Sequence, residues 1–229
     1  MPKAFKAIIF DLDGLVIDSE TGYLMAWQQA LDVMGFSLDS RAGWHLSGAN
    51  AGQVQAYLLN CYGADFDLNQ FRQLSSSIWL NLVSEQGIPV KTGFFSLLNL
   101  LTQTGLDYCL ATNSSAYAAQ RSLDLAGLNG VFKHIVSRDD VLNPKPAPDI
   151  FLTATQRLNQ RADECLVLED SLIGIRAAAA AGLACYYIPS QSPADAEAIS
   201  LADQQFVDLQ QVCEFFQAIT DKFQQAVQL

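Results

Sequence analysis

The sequence has few of the residues that build disulfide frameworks or zinc sites. Its 229 residues include five cysteines and two histidines. The cysteines are odd in number, lie far apart and form no CxxC pair, so neither a disulfide framework nor a zinc site is expected. Cys109, Cys165 and Cys185 lie within apolar runs, where a cysteine usually acts as a small buried residue. His45 and His134 have no partner at ligand spacing, so we expect both to be structural.

Positive charge is also scarce. The chain has 13 lysines and arginines against 24 aspartates and glutamates, which gives a formal net charge of −11 and an isoelectric point near 4.4. Such a chain repels the phosphates of nucleic acid and anionic membrane surfaces. We therefore expect neither as a partner, and any phosphate that binds must be held by a local arrangement of charges.

Long hydrophobic runs are absent as well, since none approaches the roughly 18 residues needed to span a bilayer. Residues 1–6 lead directly into a predicted strand, without the apolar segment and cleavage site of a secretory signal. These features predict a cytoplasmic protein in a reducing environment, with a monomer as the default state.

What the sequence does contain is a repeated pattern of short apolar runs followed by helical stretches. Half of the residues are hydrophobic and 16% are charged, which is typical of a globular protein. Continuous apolar runs suit strands covered on both faces, and their alternation with helices predicts an α/β fold with a doubly wound parallel sheet. The predicted strands are residues 7–10, 108–111, 135–136, 165–168 and 184–188.

The stretch from residue 18 to residue 87 differs from this pattern. It has no convincing strand but shows helical spacing over residues 23–34, 54–62 and 71–83, with glycines such as Gly48 as breaks. We therefore predict a helical cap domain at 18–87, inserted into a core domain formed by 1–17 and 88–229. The glutamine-rich tail from Gln204 is expected to end in a surface helix.

Carboxylates follow two of the predicted strands. Asp11 and Asp13, two residues apart on an extended segment, can point to the same side, and Gly14 allows a sharp turn after them. One acid could then attack while the other handles protons. Glu169 and Asp170 would join them at the carboxyl edge of the sheet, and four crowded acids favour a hard cation such as Mg²⁺. Taken singly, each pair could equally be an acidic turn or a helix N-terminus that favours acids.

Two further segments could hold a phosphate. Lys145 lies in a proline-rich loop, Asn143-Pro-Lys-Pro-Ala-Pro-Asp149, that would fix its ammonium group at low entropic cost. Thr112, Asn113 and Ser114 offer a hydroxyl, an amide and backbone N–H groups at a helix start, which is a ready anion site. A plain connecting loop and a simple helix cap are the alternatives.

Together, these four segments in this order resemble the haloacid dehalogenase superfamily, specifically its phosphatase branch with a helical cap inserted after the first strand. The first motif is Asp11-Leu-Asp-Gly-Leu-Val-Ile-Asp-Ser19, the second is Thr112, the third is Lys145 in Lys-Pro-Ala-Pro-Asp, and the fourth is Leu168-Glu-Asp-Ser171 with Gly174. Each is weak alone, but four in order are specific.

The resemblance implies a role for each matched residue. Asp11 would be the nucleophile that takes the phosphoryl group, and Asp13 would protonate the leaving oxygen and then activate water. Thr112 and Lys145 would hold the phosphoryl oxygens, with Asn113 assisting. Asp11, the backbone carbonyl of Asp13, and Asp170 would bind Mg²⁺, with Glu169 in or near the shell of the ion.

Departures from related patterns narrow the expected reaction. The β-phosphoglucomutases of this branch usually carry a histidine where this chain has Tyr23 and an arginine where it has Ala51. Dehalogenases normally lack an aspartate at the position that Asp13 occupies here. We therefore expect a phosphatase acting on a small phosphorylated metabolite, such as a sugar or polyol phosphate. The alternatives are a phosphomutase and a catalytically silent regulator that binds phosphorylated ligands.

Overall fold

In the computed structural model, the described residues are 5–37 and 51–227. His45 and Gly48, which the sequence singled out, lie outside them. Among the described helices, none is long and apolar enough to cross a membrane.

The centre of the molecule is a six-stranded parallel sheet in the order β3-β2-β1-β4-β5-β6. This confirms the predicted α/β fold with a doubly wound sheet. The four longer strands are almost wholly buried, as their continuous apolar runs require. The strands are β1 (Ala7–Phe10), β2 (Asp107–Ala111), β3 (Ile135–Val136), β4 (Cys165–Glu169), β5 (Ala184–Tyr187) and β6 (Gln204–Gln205).

Strand register brings the predicted chemistry to one edge of the sheet. Phe10 of β1 pairs with Leu110 of β2 on one side and Leu168 of β4 on the other. Parallel strands that end level release their following residues into the same crevice. Asp11 and the residues after β2 and β4 therefore emerge side by side.

Helices cover both faces of the sheet. Ser115 caps the helix Ala116–Leu125 and Ser171 caps the helix Leu172–Ala180, since their side chains accept hydrogen bonds from Ala118 N and Gly174 N. The helices are α1 (Ser19–Val33), α2 (Ala51–Tyr62), α3 (Leu68–Gln86), α4 (Phe94–Thr104), α5 (Ala116–Leu125), α6 (Asp149–Leu158), α7 (Leu172–Ala180), α8 (Ala196–Leu201) and α9 (Leu209–Val227).

Alternate residues of the strands feed two separate cores. Ile8 and Phe10 pack with apolar residues of α4, α5 and α9 on one face of the sheet. Ala7 and Ile9 pack with residues of α6 and α7 on the other. The predicted burial of Cys109, Cys165 and Cys185 is confirmed.

The predicted helical region between β1 and α4 has an apolar cluster of its own. Within its described residues, α1, α2 and α3 are present and there is no strand. Leu31 of α1, Leu58 of α2 and Phe71 of α3 are buried against one another in this cluster.

The C-terminal helix corrects one expectation. The predicted helix is present as α9, but it does not simply lie on the surface. Leu209, Val212 and Cys213 on its inner face are buried in the main core, packed toward α4.

Candidate active site

One cavity, about 1100 Å³ in volume, lies at the carboxyl edge of the sheet. In α/β folds, ligand pockets are usually found at this edge, at the point where the order of successive strands reverses. In this sheet β2 and β3 follow on one side of β1, whereas β4 lies on its other side. All seven residues that the sequence singled out for chemistry line it: Asp11, Asp13, Thr112, Asn113, Lys145, Glu169 and Asp170.

Lys145 lies between two buried carboxylates at the floor of the cavity. Its Nζ is 2.5 Å from Asp11 Oδ1 and 2.7 Å from Glu169 Oε1, and it also donates to the carbonyl of Ala111 at 2.9 Å. Burial by itself lowers the pKa of Lys145, but the attraction of Asp11 and Glu169 outweighs burial and raises it above its ordinary value. The lysine therefore stays protonated.

The loop that carries Lys145 is fastened to the end of β2. Asn113 Nδ2 donates to the carbonyl of Lys145 at 3.0 Å, and Asn113 Oδ1 accepts from the Lys145 N–H at 2.9 Å. The ammonium group also lies 4.7 Å from the ring centroid of Phe151. Asn113 thus fixes the lysine backbone, a contact that the sequence did not reveal.

The carboxylate of Glu169 is enclosed by protein donors. One oxygen accepts from Lys145, and the other accepts at 2.9 Å from the backbone N–H groups of Asp170 and Ser171 and from the Ser171 hydroxyl. A Cβ added at Gly174 would lie 1.7 Å from Glu169 Oε1, so this helical glycine makes room for the carboxylate. These contacts favour orientation of Lys145 over direct binding of a metal ion.

Asp170 lies against the turn that follows Asp11. A Cβ on Gly14 would lie 2.1 Å from Asp170 Oδ2, so the glycine leaves the space that this carboxylate needs. Burial, with the negative charges of Glu169 and Asp11, raises the pKa of Asp170 well above its ordinary value. Burial also raises the pKa of Asp11 to about 8, against the attraction of Lys145.

The residues around this turn fit a hard divalent cation. Asp11 and Asp170 are two carboxylates whose pKa values are raised mainly by burial and further by neighbouring carboxylates, and oxygen ligands suit Mg²⁺. Among residues 5–37 and 51–227, no group of three or more His, Cys, Asp or Glu side chains forms a metal site. The predicted set needs only two such side chains, because its third protein ligand is the backbone carbonyl of Asp13.

Asp13 is held by two hydroxyl groups from different elements. Ser19 Oγ at the start of α1 donates to Asp13 Oδ1, and Ser114 Oγ after β2 donates to Asp13 Oδ2, both at 2.8 Å. Thr112 Oγ1 accepts from the Ser114 N–H at 3.0 Å, which orders the same turn. From sequence, Ser114 was recognisable as part of an anion site or a helix cap but not as a partner of Asp13, which lies 101 residues away.

Comparison with known families agrees with this geometry, since residues 8–188 match the haloacid dehalogenase-like hydrolase family. The chain belongs to this family. The matched segment includes every predicted site residue and the helices α1 to α3.

Other proteins similar to this haloacid dehalogenase-like hydrolase include two phosphatases of Escherichia coli (strain K12). Fructose-1-phosphate phosphatase YqaB is 28% identical over 185 residues, which are 80% of this chain and 96% of that protein. Hexitol phosphatase A is 27% identical over 215 residues, which are 90% of this chain and 93% of that protein.

A solved structure shows the same fold. The β-phosphoglucomutase of Clostridium difficile superposes with a TM-score of 0.67 at 22% sequence identity, covering 98% of this chain and 100% of that one. Similarity at this identity concerns the fold alone.

Inward-facing residues of three helices form the roof of the cavity in this hydrolase. Residues at helical spacing face inward from α1, α2 and α3. Tyr23 of α1 stacks on Trp79 of α3 with ring centroids 4.8 Å apart, and Arg121 of α5 lies 5.7 Å from the centroid of the same indole. The roof residues are Ser19, Glu20, Tyr23, Leu24 and Trp27 of α1, Val54, Gln55 and Leu58 of α2, and Leu68, Phe71, Arg72, Ser75 and Ser76 of α3.

Proposed function

We propose that this hydrolase is a Mg²⁺-dependent phosphatase that cleaves a small phosphate monoester through a phosphoaspartyl intermediate on Asp11. The observation that carries the proposal is the meeting of Asp11, Lys145 and Asp170 at the cavity floor, with Asp13 held beside them. The similarity to phosphatases of a sugar phosphate and of hexitol phosphates supports a sugar or polyol phosphate as the substrate.

The first half-reaction transfers the phosphoryl group to the enzyme. A carboxylate oxygen of Asp11 attacks phosphorus, the bond from phosphorus to the ester oxygen breaks, and the electron pair leaves with that oxygen. Asp13 donates a proton to it, so the product is the free alcohol. The hydroxyl groups of Ser19 and Ser114 hold the Asp13 carboxyl in place for this transfer.

The second half-reaction restores Asp11. Asp13, now ionised, takes a proton from a water molecule whose oxygen attacks phosphorus. The bond from phosphorus to the Asp11 oxygen breaks, which releases inorganic phosphate and the Asp11 carboxylate. Asp13 therefore ends each cycle protonated again, and no other reactant is needed.

Lys145 and a divalent cation neutralise the negative charge of the bound phosphate in this proposal. Lys145 offers its ammonium group to phosphoryl oxygens while Glu169 keeps it at the floor of the cavity, and the Thr112 hydroxyl is a further donor. Mg²⁺, held by Asp11, the Asp13 carbonyl and Asp170, would supply positive charge that keeps Asp11 ionised and offsets the negative charge of the phosphate.

We further propose that residues 18–87 act as a cap. Helices α1 to α3 pack around a cluster of their own and supply the roof of the cavity. A cap that opens admits substrate, and a cap that closes excludes bulk water during transfer.

Hydrolysis of p-nitrophenyl phosphate tests the proposed function. We expect release of phosphate that depends on Mg²⁺, is abolished by a chelator, and falls by at least about 10³-fold in Asp11→Asn because the nucleophile is lost. Asp65→Asn, an exposed aspartate outside the cavity, is the matched control and should retain wild-type turnover. Undiminished hydrolysis by Asp11→Asn would refute the proposal.

Product analysis with sugar and polyol phosphates separates the alternatives. Free sugar or polyol together with inorganic phosphate supports a phosphatase, whereas a labelled sugar phosphate returned as its isomer would indicate a phosphomutase. Binding without any turnover at saturating Mg²⁺ would indicate a silent regulator.

A further inference from the structure

Arg72 on the roof of the cavity has surroundings unlike those of the other described arginines. Four of those arginines form ion pairs with carboxylates, and the fifth, Arg121, lies over the ring of Trp79. Arg72 Nη2 instead donates to the neutral amide oxygen of Gln55 at 2.5 Å. Within the described part of the chain it has no ion pair. Its charge is therefore available to a ligand.

Arg72 faces the cavity because of its position on α3. Residues Leu68, Phe71, Arg72, Ser75 and Ser76 recur at helical spacing and all line the cavity. Gln55 lies on the neighbouring helix α2 and lines the cavity too. Its amide oxygen accepts from one nitrogen of the guanidinium group, and the other N–H groups remain donors that a ligand can use.

The charges that line the cavity explain what such a partner must be. Among the described lining residues six are acidic, namely Asp11, Asp13, Glu20, Glu169, Asp170 and Asp195, and only Lys145 and Arg72 are cationic. Lys145 is engaged by Asp11 and Glu169 at the floor. Arg72 is thus the cation that can attract a second negative group of a substrate whose reacting phosphate lies at the floor.

From these observations we infer that Arg72 and Gln55 form a subsite for a second anionic group, and that the substrates include phosphate monoesters carrying a carboxylate or a second phosphate. This inference rests on the proposed function for the position of the reacting phosphate. The planar guanidinium group can bind either anion with two parallel hydrogen bonds. The subsite thereby selects phosphate monoesters with a second anionic group over phosphates of neutral sugars.

A series of ω-carboxyalkyl phosphates of increasing chain length, each paired with its neutral amide, tests the inference. We expect the ratio of kcat/KM for the acid to that for the amide to reach about 10-fold to 100-fold at one chain length, as befits a charge-assisted hydrogen bond. Alkanediol bisphosphates of the same lengths show whether a phosphate is preferred over a carboxylate. A ratio near one at every length for both anions in the wild-type enzyme would overturn the inference.

Three variants assign the preference to the subsite. Arg72→Gln should bring the ratio to about one or below, because the acids of the cavity then repel the second anion. Gln55→Glu should do the same while Arg72 remains, since the new carboxylate pairs with the guanidinium group. Arg161→Gln removes one exposed, ion-paired arginine outside the cavity and should keep the wild-type ratio. A preference that survives in Arg72→Gln would contradict the assignment.

Binding measurements separate this inference from the proposed function. The same acid and amide pairs are titrated calorimetrically into Asp11→Asn and into the double variant Asp11→Asn with Arg72→Gln. Tighter binding of the acid that requires Arg72, in a wild-type enzyme that releases no phosphate from any probe, would support the subsite and refute the phosphatase. Equal binding of acid and amide, with active hydrolysis of both, would refute the subsite alone.

Discussion

The ammonium group of Lys145 lies between the carboxylates of Asp11 and Glu169 and is almost completely buried with them. A buried charge is costly unless it is paired and hydrogen-bonded. The two carboxylates and the carbonyl of Ala111 satisfy the three donors of the lysine. The lysine in turn is the only described side-chain cation in contact with Asp11, so stability and reactivity depend on the same group.

Removal of this lysine should therefore damage both properties. We expect Lys145→Ala to lower the free energy of unfolding by about 3–5 kcal/mol, because two buried carboxylates lose their partner. The same change should lower kcat/KM by at least about 10²-fold, since phosphoryl oxygens lose a fixed positive charge. Urea unfolding in chelator measures the first effect, and phosphate release with Mg²⁺ measures the second.

Lys133→Ala is the matched control for this variant. Lys133 is exposed and lies outside the cavity, so its loss should change the free energy of unfolding by no more than about 0.5 kcal/mol. Equal stability of the two variants would show that Lys145 does not neutralise the buried acids.

At this scale the sequence predicted the carboxylates and the lysine that line the cavity, but not the contacts that orient them. Asp11, Lys145 and Asp170 stand in short motifs whose residue types are needed for the chemistry. The contacts of Asn113 with the Lys145 backbone and of Ser114 with Asp13 span 32 and 101 residues. No local pattern marks such contacts, because they exist only after β2 has paired with β3 and with β1.

Helix α7 begins beside the candidate active site, and its glycine, Gly174, leaves room for a carboxylate of that site. Gly174 lies where a methyl group would overlap the carboxylate of Glu169. Gly22 on α1 is also helical, but a Cβ there would meet the Trp79 Nε1 atom at 3.5 Å, an ordinary contact. Gly174 and Gly22 therefore differ in what an added methyl group would displace.

Alanine at these two positions should have opposite effects. Gly174→Ala forces Glu169 away from Lys145 and Ser171, so we expect a loss of about 2–4 kcal/mol in the free energy of unfolding and a large fall in kcat/KM. Gly22→Ala should raise the free energy of unfolding by about 0.5–1 kcal/mol, because glycine is a poor helix former. Denaturant titration of both variants measures the difference, and similar values for the two would contradict the steric argument.

Helices and longer strands were largely predictable from apolar spacing, while their ends were not. The spacing predicted a helix over 71–83, whereas α3 runs from Leu68 to Gln86. Apolar periodicity marks only the buried face of a helix, but its start is fixed by Asp67, whose side chain accepts from the N–H groups of Asn69 and Gln70. The two-residue strand β6 was missed, because its two exposed glutamines lack the apolar character that marked the equally short strand β3.

At the scale of the whole molecule, the topology makes four distant motifs into one site. β1 lies at the centre of the sheet between β2 and β4, so the residues after these three strands meet at one edge. The general rule that ligands bind there made the crevice predictable from sequence. The roof was not, because Arg72 and Gln55 are ordinary helix residues until α2 and α3 pack side by side.

The concentration of acids at this edge should make stability depend on pH when no divalent ion is present. Asp11 has a pKa of about 8 in the folded chain against an ordinary value of 3.8, and burial raises that of Asp170 as well. At pH values between the ordinary pKa of Asp11 and its pKa in the folded chain, the folded state binds more protons than the unfolded state. The free energy of unfolding must therefore fall as pH rises through this window.

Melting temperatures in chelator and in Mg²⁺ test this linkage. In chelator we expect the Tm of the wild-type chain to fall by several degrees from about pH 5 to about pH 8, since 1 kcal/mol corresponds to about 2–4 °C for a domain of this size. Saturating Mg²⁺ should raise the Tm most at the upper end of this range, because an ion that binds only the folded chain replaces the protons that the acids lose. Asp11→Asn removes the titrating group, so its Tm in chelator should fall less steeply with rising pH than that of the wild type.

General repulsion from the net charge of −11 affects both chains almost equally and so cancels in this comparison. Equal slopes for the two chains would show that Asp11 is already ionised without a cation, and the electrostatic need for Mg²⁺ at this residue would then disappear.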